Sequence, residues 1–371
     1  MSKDVPDEVN PVKRELSRRR FLRNAGAAAS LPLLGGVTEI LSQEGAGAST
    51  YQRHSDHPFF ASHPKYHFVV VNHVTTNPFF TATIYGIQDA CALTGCTYQW
   101  TGSDNSIVSQ MVSAFDAAIA ARANGIACSL IDNTAFDPPV NSALSVGIPV
   151  IAYNADVEAG YVNNRMAYVG QSNLTAGAAV ATHVLKYVKK GELVAIIIAT
   201  PGTTNLQPRI TGATPIFNAA GVKWTEVGTS ATAGSPEYDK IASWYAANKD
   251  VKFMMSVDGG DSDALALFIS DNHLKGKFGA SGWDVGTPVV DAVHSGLLTL
   301  TIDQQAYLQG FVPIIQLFLY NISGGLMKPQ DTDTGTAVIT KPIVGPYLAS
   351  TRWEGTSSKE GVLKPPPSIP L

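Results

Sequence analysis

Short apolar runs alternate with amphipathic stretches along most of this chain. The first run, 68–71, is unbroken and rich in valine, which is typical of a strand buried on both faces of a sheet. A polar loop follows at 72–77, and Pro78 suits the first turn of a helix because proline has no N–H to donate. This order of strand, loop and helix start recurs along the chain.

The pattern predicts two series of such units. The first has strands at 68–71, 97–101, 126–131 and 148–153, helices at 79–94, 106–123 and 140–146, and an end near Gly170. The second has strands at 193–199, 222–227, 252–257, 278–281 and, as the last strand, 298–302, with helices at 176–188, 207–220, 238–248, 261–272, 285–295 and 307–322. Regular alternation with short connections predicts an α/β fold of parallel sheets flanked by helices. So many strands favour two sheets with a cleft between them, the chain crossing back after Asp303.

Composition narrows the class of protein. A length of 371 residues suggests about two domains, and a net charge of −4 gives no reason to expect nucleic acid or an anionic membrane as partner. Three cysteines are too few for a disulfide framework. Cys91 and Cys96 need not be bonded, and Cys128, in an apolar run, is expected to be a small buried residue.

The N-terminus has the pattern of an export signal. A basic segment at 17–23 with paired arginines precedes a weakly apolar stretch at 25–34 and an A-x-A site at 46–48. This order resembles a twin-arginine signal, and the stretch is too short and too rich in glycine and alanine to be a membrane span. Cleavage after Ala48 would leave a soluble mature chain outside the cytoplasmic membrane.

Two further segments are expected to lie outside the packed domains. The arm at 49–65 carries His54, His57 and His63, whose spacing matches no metal-ligand pattern. Residues 351–371 form a proline-rich tail.

Polar side chains cluster just after the predicted strands. In open α/β sheets, ligands bind beyond the carboxyl ends of the strands. Amides, carboxylates and an arginine at these ends suit the hydroxyls of a sugar or polyol, and aromatic rings suit its apolar face. Phe79 and Phe80 are either a stacking platform or core residues of their helix. Any single Asn or Asp is more often a helix cap, so the whole set carries the signal. The candidate ligand-binding residues are Asn77, Phe79, Phe80, Asn154, Asn205, Gln207, Arg209, Asp258, Trp283, Asp284 and Gln304.

No catalytic motif is present in the sequence. The chain has no G-x-S-x-G elbow, phosphate-binding glycine loop, HExxH helix or CxxC pair. Asp258 and Asp284 could act as an acid and base, but nothing marks a nucleophile or an attacking water. We therefore expect no enzyme activity, no cofactor and no metal.

Five motifs, in this order, resemble the periplasmic sugar-binding proteins of ABC transporters, of the ribose-binding type. They are TNPFF at 76–80, GIPVI at 147–151, YVGQSN at 168–173, GWD at 282–284 and TIDQQ at 301–305, and the resemblance covers about 66–350. It implies two Rossmann-like lobes of the type I periplasmic binding protein fold, joined by crossings near 170–173, 303–306 and 331–336.

The resemblance also implies ligand contacts and shows departures from the ribose pattern. Asn77, Phe79 and Phe80 match first-lobe contacts, and Asp284 and Gln304 match contacts of the second lobe and hinge. Where the ribose pattern has Asp-Arg, this chain has Asn154-Ala155. Where the ribose pattern has its ligand-binding arginine, this chain has Gln207, and Arg209 follows two residues later. Asp258 stands in a segment where that pattern has Asn, so D-ribose itself is doubtful as the ligand.

These observations lead to one expectation and two alternatives. We expect an exported, monomeric solute-binding protein that delivers a monosaccharide or sugar alcohol to an ABC permease. Its lobes would be 66–170 with 304–332 and 171–303 with 333–350. The alternatives are a component of a sensor for a sugar or furanose signal and, less favoured, an exported enzyme acting on a sugar. A repressor of this fold would carry a DNA-binding helix-turn-helix where this chain has its export signal.

Overall fold

The computed structural model describes residues 62–230, 235–349, 351–354 and 358. The predicted export signal, His54 and His57 lie outside the described residues, as does most of the tail. Within the described ranges, no helix combines the length and apolar character needed to cross a membrane.

The first lobe is built on a six-stranded parallel sheet. Its strands are β1 (His67–Asn72), β2 (Thr97–Gly102), β3 (Gly125–Cys128), β4 (Val150–Tyr153), β5 (Ala167–Gly170) and β11 (Thr332–Asp333), and its helices are α1 (Phe80–Thr94), α2 (Val108–Ala120), α3 (Asp137–Ser145) and α9 (Ala306–Ile322). The strand order is β11-β5-β4-β3-β1-β2, so the first strand lies inside the sheet.

The second lobe repeats this plan. Its strands are β6 (Leu193–Ile198), β7 (Lys223–Gly228), β8 (Phe253–Ser256), β9 (Gly279–Ser281), β10 (Leu300–Asp303) and β12 (Ala337–Thr340), and its helices are α4 (Asn173–Val184), α5 (Gln207–Ala220), α6 (Ser235–Ala247), α7 (Gly259–Asp271) and α8 (Thr287–Ser295). The order is β12-β10-β9-β8-β6-β7, with β12 antiparallel to β10. The predicted architecture of two α/β lobes is confirmed.

Strand β1 shows why the apolar runs form these sheets. Phe68 and Val70 belong to one hydrophobic cluster, and Val69 and Val71 belong to another on the opposite face. The strand is therefore buried on both sides, as its unbroken apolar run predicted. Cys128, next to β1 in the sheet, is also fully buried.

In each lobe, two neighbouring helices pack with their backbones in close contact. A Cβ atom at Gly177 of α4 would lie 1.9 Å from the carbonyl oxygen of Arg209, and one at Gly212 of α5 would lie 1.9 Å from that of Leu174. Gly86 and Gly310 do the same for α1 and α9, with distances of 2.1 and 2.0 Å to the facing carbonyls. Only glycine permits such an approach, and in the second lobe it holds the start of α5 against α4.

The chain passes between the sheets three times. The passages follow β5 at Gly170, follow β10 at Asp303, and lie between β11 and β12 at 334–336. Gln305, in the second passage, has a left-handed backbone with φ of 59°. All three passages coincide with the crossings that the resemblance implied.

The structure corrects three local predictions. The strand at 298–302 is not the last, because β11 and β12 follow it. Pro78 precedes the N-cap Phe79 and so lies before the first turn of α1. Residues 351–354 of the predicted tail are packed: Arg352 donates to Asp89 of α1 at 2.6 Å, and Trp353 packs edge-on against Tyr307 of α9.

These features carry weak sequence signals. β11 has only two residues and forms because β5 offers an edge to pair with. Arg352 and Asp89 are more than 200 residues apart along the chain, so no local pattern reveals their contact.

Candidate functional site

A cavity of about 80 Å³ lies between the lobes, at the carboxyl ends of the strands. One water molecule needs roughly 10–15 Å³ of such space, so the cavity is larger than a single hydration site. Residues of both lobes line it: His73, Val74, Asn77, Phe79, Phe80, Ser106, Asn154, Ala199, Thr200, Asn205, Leu206, Arg209, Glu237, Asp258, Gly259, Gly260, Asp284 and Gln304.

We call the contribution of the first lobe, from His73 to Asn154 in that list, the first wall. Phe80 is buried in the lobe core and meets Phe79 edge-on at 4.7 Å, so Phe80 serves both the core and the cavity. Asn77 accepts a hydrogen bond from the backbone N–H of Phe79 at 2.9 Å, which fixes the turn that presents both rings.

His73 joins the first wall to the opposite lobe. Its Nδ1 lies 2.9 Å from Ser129 Oγ, and its Nε2 lies 3.3 Å from the Nδ2 of Asn205 in the second lobe. Burial, together with the charge of Arg209, lowers the pKa of His73 to about 3. The imidazole is therefore neutral at physiological pH, and the first wall carries no charge among its lining side chains.

The second lobe and the passage at Gln304 form what we call the second wall. Asp258 caps α7 by accepting from the N–H of Asp261 at 2.9 Å, and Asp284 follows β9. The side chain of Gln304 donates to Asp284 Oδ1 at 2.6 Å. This wall therefore carries Arg209, Asp258, Asp284 and Glu237.

Arg209 is only 2% exposed, and its hydrogen bonds connect several elements. Its Nε donates to Asn173 Oδ1 at 2.9 Å, and its Nη1 donates to the carbonyl oxygen of Val257 at 2.5 Å. Its guanidinium lies over the ring of Trp283, 4.4 Å from the centroid. A longer contact of 3.4 Å reaches Gln304 Oε1.

Asp284 is the lining acid with the clearest electrostatic shift. Burial raises its pKa to about 6, although Arg209 and the hydrogen bond from Gln304 act in the opposite direction. Its backbone is left-handed, with φ of 69°, as are those of Asn154 (62°) and Ser106 (56°). Asn and Asp tolerate this region better than most residues, and such conformations concentrate at functional sites.

Nine of the eleven residues proposed from sequence line the cavity. Gln207 does not, because its amide accepts from the Gly202 N–H and donates to Glu226 at the outer face of the lobe. Trp283 is fully buried beneath Arg209. Each wall thus keeps most of its predicted members.

Sequence reasoning missed His73, Ser106, Thr200 and Glu237 as lining residues. His73 and Ser106 stand in loops after strands, where the rule that ligands bind at strand ends could have included them. Glu237 lies in the first turn of α6, several residues past the end of β7, so that rule alone does not select it. Gln309, also missed, binds Asn154 at 2.9 Å and the Gln304 carbonyl at 2.9 Å from within α9.

Direct hydrogen bonds join the lobes beside the cavity. Thr204 Oγ1 donates to the carbonyl oxygen of Leu130 at 2.5 Å, and Asn205 meets His73 as described. The structure therefore shows the lobes in contact, with the cavity between them.

Comparisons with known proteins agree with this geometry. The family model for the periplasmic binding protein domain matches residues 68–320. The xylose/arabinose-binding protein XylF of Sulfolobus acidocaldarius is 39% identical over 380 aligned positions, covering 96% of this chain and 94% of that protein.

Two solved structures share the fold. A solute-binding protein of an ABC transporter from Burkholderia graminis, in complex with D-arabinose, has a TM-score of 0.69 and 24% identity over 76% of this chain and 98% of its own. A chain of the XylFII-LytSN complex has a TM-score of 0.69 and 22% identity over 76% of this chain and 99% of its own. The resemblance seen in the motifs is confirmed, and this chain belongs to the periplasmic binding protein domain family.

Proposed function

We propose that this chain is an exported solute-binding protein that captures a pentose between its lobes and delivers it to an ABC permease. The observation that carries the proposal is the cavity between the lobes, with aromatic rings on one side and charged hydrogen-bonding groups on the other. The name of its relative XylF supports a pentose such as xylose or arabinose as the ligand.

The two walls would bind different parts of the sugar. Phe79 and Phe80 would cover the apolar face of the sugar ring, while Asn77 and Asn154 bind hydroxyls from the first wall. Arg209, Asp258 and Asp284 would fix the remaining hydroxyls from the second wall. Hydrogen bonds to charged groups contribute about 1.5–3 kcal/mol each, so the second wall would dominate affinity.

Ligand binding would favour contact between the lobes. A ligand shifts a conformational equilibrium only by its differential affinity for the two states. A sugar that touches both walls binds the closed form better than the open form. The permease would then recognise the closed form.

The test is thermal melting of the purified full-length chain with a panel of pentoses, hexoses, deoxysugars, inositols and sugar alcohols. A ligand at about 100 times its dissociation constant adds roughly 2.7 kcal/mol to the free energy of unfolding. We expect xylose or arabinose to raise the melting temperature by a few degrees. Asp284→Asn should weaken binding by about ten- to a hundredfold, since it removes a charged acceptor.

Asp291→Asn is the matched control, because Asp291 is an exposed carboxylate on α8 of the same lobe. Its sugar response should equal that of the unmodified chain. If no sugar in the panel changes the melting temperature, the pentose proposal fails. Conversion of a sugar to product during incubation would favour the enzyme alternative instead.

Uptake measurements separate transport from sensing. Cells that lack this chain should lose uptake of the labelled sugar if the chain serves a permease. Normal uptake with a lost transcriptional response to the sugar would identify a sensor. Secretion that requires the paired arginines at 18–19 would support the twin-arginine route of export.

A further inference from the structure

Three carboxylates meet at the back of the second wall. Glu237 comes from α6, Asp258 caps α7, and Asp261 lies in the first turn of α7. One carboxylate oxygen from each lies within 4.8 Å of the other two. Glu237 and Asp261 are only 3% and 0% exposed, so water does not screen this cluster well.

One oxygen of this cluster has no hydrogen-bond partner. Asp261 Oδ1 accepts from the Thr229 hydroxyl at 2.6 Å, whereas Asp261 Oδ2 is buried and unpaired. The acidic groups beside Asp261 are the carboxylates of Asp258 and Glu237. A buried carboxylate among other carboxylates requires a compensating positive charge, whether a proton or a metal ion.

Of the three carboxylates, Arg209 acts by charge on Asp258, and Asp261 has no coupling to it. The charge of Arg209 acts on Asp284 and Asp258, and its N–H groups donate to Asn173, Val257 and Gln304. Arg209 therefore offsets part of the charge of Asp258 but donates no hydrogen bond to Asp261.

The spacing of the three carboxylates suits a hard divalent cation. Calcium binds oxygen ligands at about 2.3–2.6 Å, so two oxygens on opposite sides of the ion lie up to roughly 5 Å apart. Oxygens within 4.8 Å of one another are therefore close enough to share one ion. Carboxylates are also the ligands that calcium prefers.

We propose that Glu237, Asp258 and Asp261 form a binding site for a divalent cation of the calcium type, beside the ligand cavity. Glu237 and Asp258 also line the cavity, so the ion lies next to the bound solute. It ties α6 to the start of α7, which stabilises the second lobe. This site was not expected from the sequence, because Glu237 is more than twenty residues from the other two acids.

The experiment uses the full-length chain without sugar, stripped with a chelator and then exchanged into chelator-free buffer at neutral pH. Thermal melting is recorded with and without excess calcium, and calcium binding is measured by isothermal titration calorimetry. We expect calcium to raise the melting temperature by several degrees. Magnesium, which keeps more of its water and demands stricter geometry, should have a smaller effect.

Two variants locate the site. Asp261→Asn keeps the shape of the side chain and should abolish the calcium response, and Glu237→Gln should weaken calcium binding at least tenfold. Asp291→Asn, which removes an exposed carboxylate of the same lobe, should respond like the unmodified chain.

Absence of any calcium or magnesium response in the unmodified chain would overturn the proposal, leaving a shared proton between Asp261 and Asp258 as the compensating charge. An undiminished response in both variants would also overturn it, since the ion would then bind elsewhere. The readout needs no sugar, so failure of the sugar panel and failure of the cation site are distinguishable.

Discussion

The two walls of the cavity present side chains of different chemistry. The first wall presents aromatic rings, amides and a neutral histidine. The second wall presents an arginine and three acids, held by hydrogen bonds that run through Gln304 and Asn173. Both walls are built on the same arrangement of parallel strands, so fold alone does not dictate the chemistry of the site.

The difference teaches where the site is sensitive to change. Neutral side chains can be replaced at the cost of contact area and single hydrogen bonds. Buried charges cannot, because removing one partner leaves the others uncompensated in a poorly screened environment. The second wall should therefore be the more fragile of the two.

Replacement of Arg209 by Met should have the largest effect. The change leaves the Val257 carbonyl and Asn173 Oδ1 without a donor and removes the positive charge facing Asp284. We expect a loss of about 3–5 kcal/mol in the free energy of unfolding, measured by urea denaturation, together with loss of sugar binding.

Lys252→Met is the control for Arg209→Met, because Lys252 is an exposed cation of the same lobe. It should change stability by no more than about 0.5 kcal/mol. Equal stability of the two variants would show that the second wall does not depend on its charge network.

The walls should respond to pH in opposite directions. The pKa of Asp284 is about 6, above the ordinary 3.8, so this carboxyl binds its proton more tightly in the folded state. The free energy of unfolding therefore falls as pH rises from 4 to 6. His73 has a pKa of about 3, below 6.5, so its neutral form is favoured when folded, and the unfolding free energy falls as pH drops below 6.5. Across its full pH window the effect is about 3 kcal/mol for Asp284 and about 5 kcal/mol for His73.

Urea denaturation of Asp284→Asn and His73→Gln beside the unmodified chain checks this. Between pH 4 and 6.5, the advantage of the unmodified chain over Asp284→Asn should shrink as pH rises, and its advantage over His73→Gln should grow. If both stability differences changed in the same direction with pH, the predicted opposite pH response of the two walls would be wrong.

Phe79→Ala should have the smallest effect. Phe79 is half-buried and meets Phe80 edge-on, so its loss should cost binding about 0.5–1.5 kcal/mol, with little change in stability. Calorimetric titration with the sugar found in the panel measures this. Leu93→Ala, which alters an exposed apolar residue at the far end of α1, should leave affinity unchanged.

Periodicity predicted the regular core of the fold because local patterns encode burial. The run 68–71 indicated a strand buried on both faces, and β1 packs against a core on each side. The first predicted helix, 79–94, ends at Thr94 in the structure, where Gly95 caps it with a left-handed backbone at φ 69°. β11, β12 and the packed residues 351–354 escaped prediction, because their partners lie far away along the chain.

Most residues that line the cavity could be predicted from the sequence, because the carboxyl ends of the strands meet at one edge of each sheet. Asn154, Asp258 and Gln304 each follow a strand closely and line the cavity. Gln207 and Trp283 satisfy similar positional rules, yet one faces Glu226 and the other lies beneath Arg209. Side-chain direction depends on packing between elements, which position in sequence does not supply.

By itself, the sequence determined the alternation of strand and helix, the division into two lobes and the family to which the chain belongs. These follow from periodicity and ordered motifs, which are local properties. Only the tertiary structure decided that Glu237 meets Asp258 and Asp261, and that His73 and Asn205 join the lobes. Such meetings depend on how helices and loops distant in the chain pack together, because burial and charge at a site are sums over all neighbours in space.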